Sequence, residues 1–267
     1  MRLVVLGSAG SYPSADSACA SYLVQADDES GRTWCVLLDL GNGAVGPLQR
    51  YWNVRDLDAV AISHLHADHV ADTAVLSVAR RYGPQGPLPP LPLWGPAGTA
   101  ARLAEIAGSD DPAPGVLEQF DVRAWDPAVP VVVGPLTLTP VAMDHSLPCF
   151  GVRVVGPSDE PAPGGGRRTV RLCYTGDTDA GPGLDALAAG ADLLLAEAAF
   201  HEGRDDAWRG IHLTGRRAAE AAARGGAGQL VLTHIPAWND PALAVAEARS
   251  AYPGPVTLAT PGATFTL

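Results

Sequence analysis

Nine residues, ISHLHADHV at 62–70, constrain this chain more than any other stretch. They place His64, His66, Asp68 and His69 within six positions, directly after an apolar run, in a chain that has only seven histidines. His64 and His66 are two apart, so in an extended segment both side chains project to one side. Asp68 and His69 fall where a helix over 69–81 is predicted to begin, and the first side chains of a helix are free to point back toward a strand end. The four groups can therefore converge on one small volume. For an isolated His–Asp pair, a polar turn with a helix-capping aspartate is the simpler reading. It fails for three imidazoles and a carboxylate together, because unpaired buried imidazoles are costly.

Other strand-like runs end in the same kinds of side chain. Apolar segments are predicted as strands at 2–7, 20–25, 33–41, 59–63, 136–143, 150–155, 169–176, 192–198, 229–234 and 256–260. Further helical patterns lie at 98–107, 181–189, 214–224 (capped by Thr214) and 240–251. Many strands with interspersed helices imply a layered α/β fold. His145 follows LTLTPVAM, Asp177 follows RLCYTG and His234 follows QLVLT. Ligand sites in α/β sheets collect at such strand ends, so one rim can gather all of these donors. Each histidine read alone would be a satisfied structural residue; their shared placement favours a site. PAPGGGRR (161–168) is predicted as a hairpin loop and RYGPQGPLPPLPLWGP (81–96) as a proline-stiffened connector. Neither divides the chain, and residues 1–267 are taken as one domain.

Seven nitrogen and oxygen donors divide into His64, His66 and His145 on one side and Asp68, His69 and His234 on the other, with Asp177 shared between them. Imidazole-rich sets of this type suit two Zn2+ ions, with Mn2+ or Fe2+ acceptable, and need no thiolate. The four cysteines, Cys19, Cys35, Cys149 and Cys173, form no CxxC pair and are expected to be buried and reduced, as suits a cytoplasmic protein. With 29 acidic against 18 basic residues the net charge is −11, which repels phosphate backbones at long range and disfavours a nucleic-acid partner. Two divalent cations would reverse that field locally. MRLVVLGSAGS reads as a first strand rather than a signal segment. No run of about eighteen apolar residues predicts a membrane span.

His64-Leu65-His66-Ala67-Asp68-His69 matches the HxHxDH signature of the metallo-β-lactamase superfamily, and the order of His145, Asp177 and His234 resembles the same family's ligand set. The likeness covers nearly the whole chain. It implies an αββα sandwich with a di-metal site at one rim. Within that superfamily the chain resembles the RNase Z-like phosphodiesterase branch, through LGSAGSYPSADSACASYLV (6–24), LDLGNG (38–43), Glu197-Ala198-Ala199-Phe200 and Gly210-Ile211-His212-Leu213-Thr214. In that branch the residues matching Glu197 and His212 act together. Two departures matter. Ala196 stands where transfer-RNA processing enzymes usually have histidine, and the short segment between His145 and Asp177 lacks their basic-tipped arm. GNGAVGPLQRY (41–51), SHLHADHVAD (63–72), Arg80-Arg81-Tyr82, CYTGDT (173–178), HLTG (212–215) and LVLTHIP (230–236) followed by Trp238 resemble the actinobacterial atypical class II cyclic-AMP phosphodiesterases.

That resemblance implies hydrolysis of small phosphodiesters, cyclic AMP to AMP above all. The expected roles are Asp68 orienting the nucleophile or taking its proton, His212 protonating the departing oxygen as general acid, and Glu197 fixing the His212 tautomer. An RNase Z-like RNA 3′-endonuclease and a non-catalytic nucleotide or metal binder are the alternatives. A homodimer is compatible with the resemblance. His201, in the polar stretch HEGRDD, is expected to be an exposed loop residue. Ser8, Ser11 and Ser146 are phosphate donors or plain turn residues, Asp39 resembles a position that supports the metal loops, and Tyr12, Trp208 and Trp238 are either packing residues or base-stacking ones.

Overall fold

Runs that are apolar on both faces become strands covered on both faces. In the computed structural model, which describes residues 1–84, 86–108, 117–161 and 166–267, every residue of LLLAE (193–197) and LVLT (230–233) is buried, as expected for central strands of a layered α/β protein. Two sheets result, of nine and seven strands among the described residues. The first runs β14 (Ile235–Pro236), β1 (Arg2–Gly10), β3 (Ser21–Asp27), β4 (Thr33–Leu38), β5 (Ala59–Ala61), β6 (Leu91–Gly95) and β7 (Phe120–Ala124), with β2 (Ala18–Cys19) and β16 (Thr264–Thr266) also on β1. The second runs β15 (Val256–Leu258), β13 (Leu230–Thr233), β12 (Leu193–Glu197), β11 (Arg167–Tyr174), β10 (Cys149–Pro161), β9 (Leu136–Met143) and β8 (Val131–Val133).

The two-residue period of a strand sorts side chains into layers. In β4, Val36 and Leu38 face the other sheet, where they meet Leu138, Val154, Leu172 and Leu195. Leu37 faces outward onto Leu48 of α1 (Val45–Tyr51), Leu76 of α3 (Thr73–Tyr82) and Leu103 of α4 (Thr99–Ile106). On the far side, Leu194, Leu230 and Leu232 pack against α5 (Pro182–Ala188), α6 (Gly215–Gly225) and α7 (Pro241–Ala251). Helix, sheet, sheet, helix is the αββα sandwich expected from the motif. Each fully buried leucine contributes about 1.5–3 kcal/mol, so the three apolar layers, not the polar rim, supply most of the stability. Among the described residues no helix is long and apolar enough to cross a membrane.

Strand direction places the site. β11, β12 and β13 are parallel neighbours, and β9 is antiparallel to β10, itself antiparallel to β11. Two reversals restore one direction, so the chain leaves β9, β11, β12 and β13 at the same edge. By the same reasoning β1, β4 and β5 end together. Cross-links at that edge join the sheets: Phe150 N–H donates to Ser63 O (3.0 Å), and Tyr22 Oη lies 2.6 Å from Thr233 Oγ1.

Several local expectations change. The helix predicted over 69–81 is broken into α2 (Ala67–Val70) and α3, because Asp72 N–H donates to Leu40 O (3.1 Å) rather than continuing the helical ladder. The Asp72 carboxylate meanwhile accepts from Gly43 N and Val45 N at the start of α1. The 81–96 connector contains a strand, β6, and residue 85 lies outside the described residues. Pro92 is tolerated there because β5 pairs only with Leu93 and Trp94, leaving Pro92 beyond the end of that ladder. Around the predicted 161–168 loop, β10 and β11 do form a hairpin; residues 162–165 lie outside the described residues.

Candidate metal centre

Beyond β5 the chain passes Ile62 and Ser63 and delivers His64 to the rim, fully buried. Its Nε2 lies 3.0 Å from His66 Nδ1, and His145 Nε2, two residues past the end of β9, lies 3.2 Å from the same atom. The first turn of α2 brings His69, whose Nε2 is 3.0 Å from His234 Nε2, and His234 Nε2 is 3.1 Å from Asp68 Oδ2. Asp177 stands between the two groups: Oδ2 is 3.6 Å from His64 Nε2, and Oδ1 is 3.3 Å from His69 Nε2 and 3.5 Å from His234 Nε2. All seven predicted donors therefore meet, in the two predicted halves. Each half, His64/His66/His145/Asp177 and Asp68/His69/His234, could hold a metal ion.

Three of these rings are held from behind. His69 Nδ1–H donates to Asp39 Oδ2 (2.7 Å), and His145 Nδ1–H donates to Ile211 O (2.8 Å). Ser63 Oγ donates to Asp39 Oδ2 (2.7 Å) and stands 3.0 Å from His64 Nδ1. These bonds leave the Nε2 lone pairs of His64, His69 and His145 directed at the centre, the orientation that metal ligation needs. Asp39 itself is buried, has φ +57°, and also accepts from Ser63 N (2.6 Å) and Tyr174 Oη (2.6 Å). The left-handed turn after β4 thus aims one carboxylate at four donors.

Charge balance at the centre fits a cation. Burial pushes His64 well below its usual pKa, with His69 adding to the effect, and burial likewise lowers His66. Burial opposes charge on His69 too, but Asp177 and Asp39 on either side hold it well above the ordinary imidazole value. Asp177 stays well below the usual carboxylate range: burial works against it, and His234, His69 and His64 outweigh burial. Asp177 Oδ1 is nevertheless buried without a hydrogen-bond partner among the described residues. A buried orphan carboxylate oxygen ringed by imidazole nitrogens is what a divalent ion satisfies. Thiolates are not available to compete. All four cysteines are buried and unbridged, and burial pushes Cys19 and Cys35 up to about 12 and Cys173 to about 11.

Beside this cluster lies a second pair. His212 Nδ1 is 2.8 Å from Glu197 Oε1, and Glu197, at the end of β12, is fully buried and also accepts from Thr178 N (2.8 Å) and Ala199 N (3.1 Å). Burial opposes charge on His212, yet Glu197 and then Asp177 raise its pKa to about 9. His212 opens onto a cavity of about 430 Å³ lined also by Ser11, Phe200, Arg204 and Trp238.

Residues 35–235 match the beta-lactamase superfamily domain. The chain belongs to the beta-lactamase superfamily. An uncharacterised protein of Mycobacterium leprae (strain TN) is 36% identical over 269 residues, spanning 99% of this chain and 88% of that one. A ribonuclease Z of Myxococcus xanthus (strain DK1622) is 29% identical over 314 residues, spanning 100% of this chain and 98% of that one. The crystal structure of the metallo-beta-lactamase fold protein YhfI from Bacillus subtilis superposes with a TM-score of 0.81 at 26% identity, covering 99% of this chain and 98% of that one.

Within this superfamily member some predicted surroundings move. His201 is buried, 6% exposed, not an exposed loop residue. The polar stretch after it folds back so that Asp205 accepts from His201 N (2.9 Å) and Glu247 Oε1 stands 3.3 Å from His201 Nδ1. Ser11 N–H donates to Asp68 Oδ2 (2.8 Å) through its backbone, Ser8 is engaged with Ser17, and Ser146 Oγ sits 3.5 Å from His145 Nε2. Sequence reasoning missed Ser63, Tyr174 and Thr178 as supports. Their signal was position, since each adjoins or lies within the SHLHADH or CYTGDT motif. Asp179 escaped notice as well: it holds Arg209 (2.6 Å), on the loop that carries His212, and Arg217 (3.3 Å) of α6.

Proposed function

We propose that this superfamily metallo-hydrolase is a phosphodiesterase acting on small phosphodiesters, cyclic nucleotides foremost, converting cyclic AMP to AMP. His64, His66, His145 and Asp177 would hold one Zn2+ and Asp68, His69, His234 and Asp177 a second, with Mn2+ or Fe2+ as substitutes. When bound, the pair of ions supplies Lewis acidity, lowering the pKa of water toward about 7 and balancing charge on phosphoryl oxygens. Asp68, steadied by the Ser11 backbone, orients the attacking water or accepts its proton. The observation that carries the reading is the Glu197–His212 contact of 2.8 Å. It engages Nδ1, with Glu197 raising the ring's pKa, and so leaves Nε2 to deliver a proton to the departing 3′ oxygen.

Bis-p-nitrophenyl phosphate assayed before and after chelation tests the class. Cyclic AMP, cyclic GMP and 2′,3′-cyclic nucleotides compared by product chromatography test the substrate. Chelator-sensitive release of AMP from cyclic AMP is expected; absence of phosphodiester cleavage by the metal-loaded protein refutes the reading. A second reading, RNA 3′-end cleavage, is favoured by the ribonuclease Z relative and opposed by the charge of −11. Specific cutting of a precursor transfer RNA in a gel assay would replace the first reading with it.

A further inference from the structure

Two aromatic rings stand exposed at the mouth of the site. Tyr12 is 47% exposed and Trp238 59%, although their centroids are only 5.4 Å apart, with the planes tilted by 35°. The pairing follows from backbone register. β1 and β14 run parallel with Gly10 opposite Pro236, and each ring is two residues further along its own chain. The strands therefore deliver the rings side by side past the rim.

The turn that aims Tyr12 is held firmly. Ser11 has φ +66°, a left-handed conformation that a side chain disfavours, and its N–H is fixed on Asp68 Oδ2 at 2.8 Å. Tyr12 N–H donates to Gly10 O (2.8 Å). On the other side, Trp238 lies four residues after His234 and lines the same cavity as His212 and Ser11. One wall of the rim is thus aromatic and wet, anchored through Asp68 and His234 to the metal-ligating cluster. The volume, about 430 Å³, suits a small ligand.

We propose that Trp238, backed by Tyr12, is the nucleobase-binding wall of this site, stacking on the planar ring of a nucleotide whose phosphate lies at the His/Asp cluster. The proposal deepens the phosphodiesterase reading and rests on it. A nucleotide is a biological ligand class that joins a phosphate to a planar ring. Stacking on an aromatic side chain tolerates any base, because each presents a π face, so the wall favours nucleotides over phosphodiesters that lack a planar ring without selecting one base.

The test uses the full-length, metal-loaded protein and calorimetric titration with two probes, adenosine 5′-monophosphate and ribose 5-phosphate, which share the phosphate and sugar and differ in the base. The wild-type protein is expected to bind the nucleotide more tightly by about fivefold to a hundredfold, the range for one stacked base. Trp238→Ala should collapse that ratio to within about twofold of unity, Tyr12→Ala should reduce it partly, and Trp238→Phe, which keeps a ring, should retain most of it. A ratio unchanged in Trp238→Ala, or a wild-type ratio near one, overturns the wall while leaving the phosphodiesterase reading intact. If the metal-loaded protein binds neither probe, the wall is overturned; the phosphodiesterase reading falls separately, if that protein does not cleave bis-p-nitrophenyl phosphate.

Discussion

The two halves of the ligand cluster are built differently. The His64/His66/His145 half is three imidazoles with one oxygen of Asp177. Two of its rings, His64 and His145, are held from behind by uncharged groups, Ser63 Oγ and the Ile211 carbonyl. The Asp68/His69/His234 half adds a second carboxylate, and behind His69 stands a third, Asp39, at 2.7 Å. A carboxylate behind an imidazole makes the ring a stronger donor. One half therefore gathers its charge through direct ionic support, while the other receives the influence of Asp39 only through the hydroxyl of Ser63. If each half takes an ion, as proposed, the two ions would be held on unequal terms.

The largest blow to this arrangement removes what the halves share. Asp177→Ala should reduce metal from two ions per chain to less than one by elemental analysis and lower phosphodiester turnover by more than about a thousandfold; two retained ions would show that the halves are independent. His212→Ala, outside both halves, should keep full metal content and lose about 10² to 10⁴ in turnover. Undiminished cleavage by that variant would remove the acid assigned to Glu197 and His212. Asp39→Asn should weaken the His69 half by about 10- to 100-fold in a cadmium NMR titration, with the other half changing less. It should also cost about 1–3 kcal/mol of stability, because the amide presents N–H groups to donors that previously met oxygen. Equal weakening of both halves would erase the contrast. The smallest effect is expected from Ser63→Ala, a loss of a few-fold confined to the His64 half and read by the same titration.

The sandwich was legible because strands covered on both faces are apolar without interruption, as in LVLT, and because chain direction puts donors just past such runs at one edge. The seven candidate donors that the structure brings together were readable from type and position. What was not readable depends on long-range pairing. β6, β7, β8, β14 and β16 are short or carry proline, and their partners supply the order their composition does not. The break between α2 and α3 follows from a bond between Asp72 and Leu40, more than thirty residues apart in sequence. His201 looked exposed because its neighbours are polar; its burial against Glu247 needs α7 to be in place. Tyr12 and Trp238 were only separate aromatics until the register of β1 with β14 put them together.

The four sealed thiols have a practical corollary. Cys19 and Cys35 belong to the first sheet and Cys149 and Cys173 to the second, so a thiol-reactive dye can reach them only when the protein opens. Site-resolved labelling by mass spectrometry would then time the opening of each sheet separately, reporting whether the two sheets breathe together or one comes apart first.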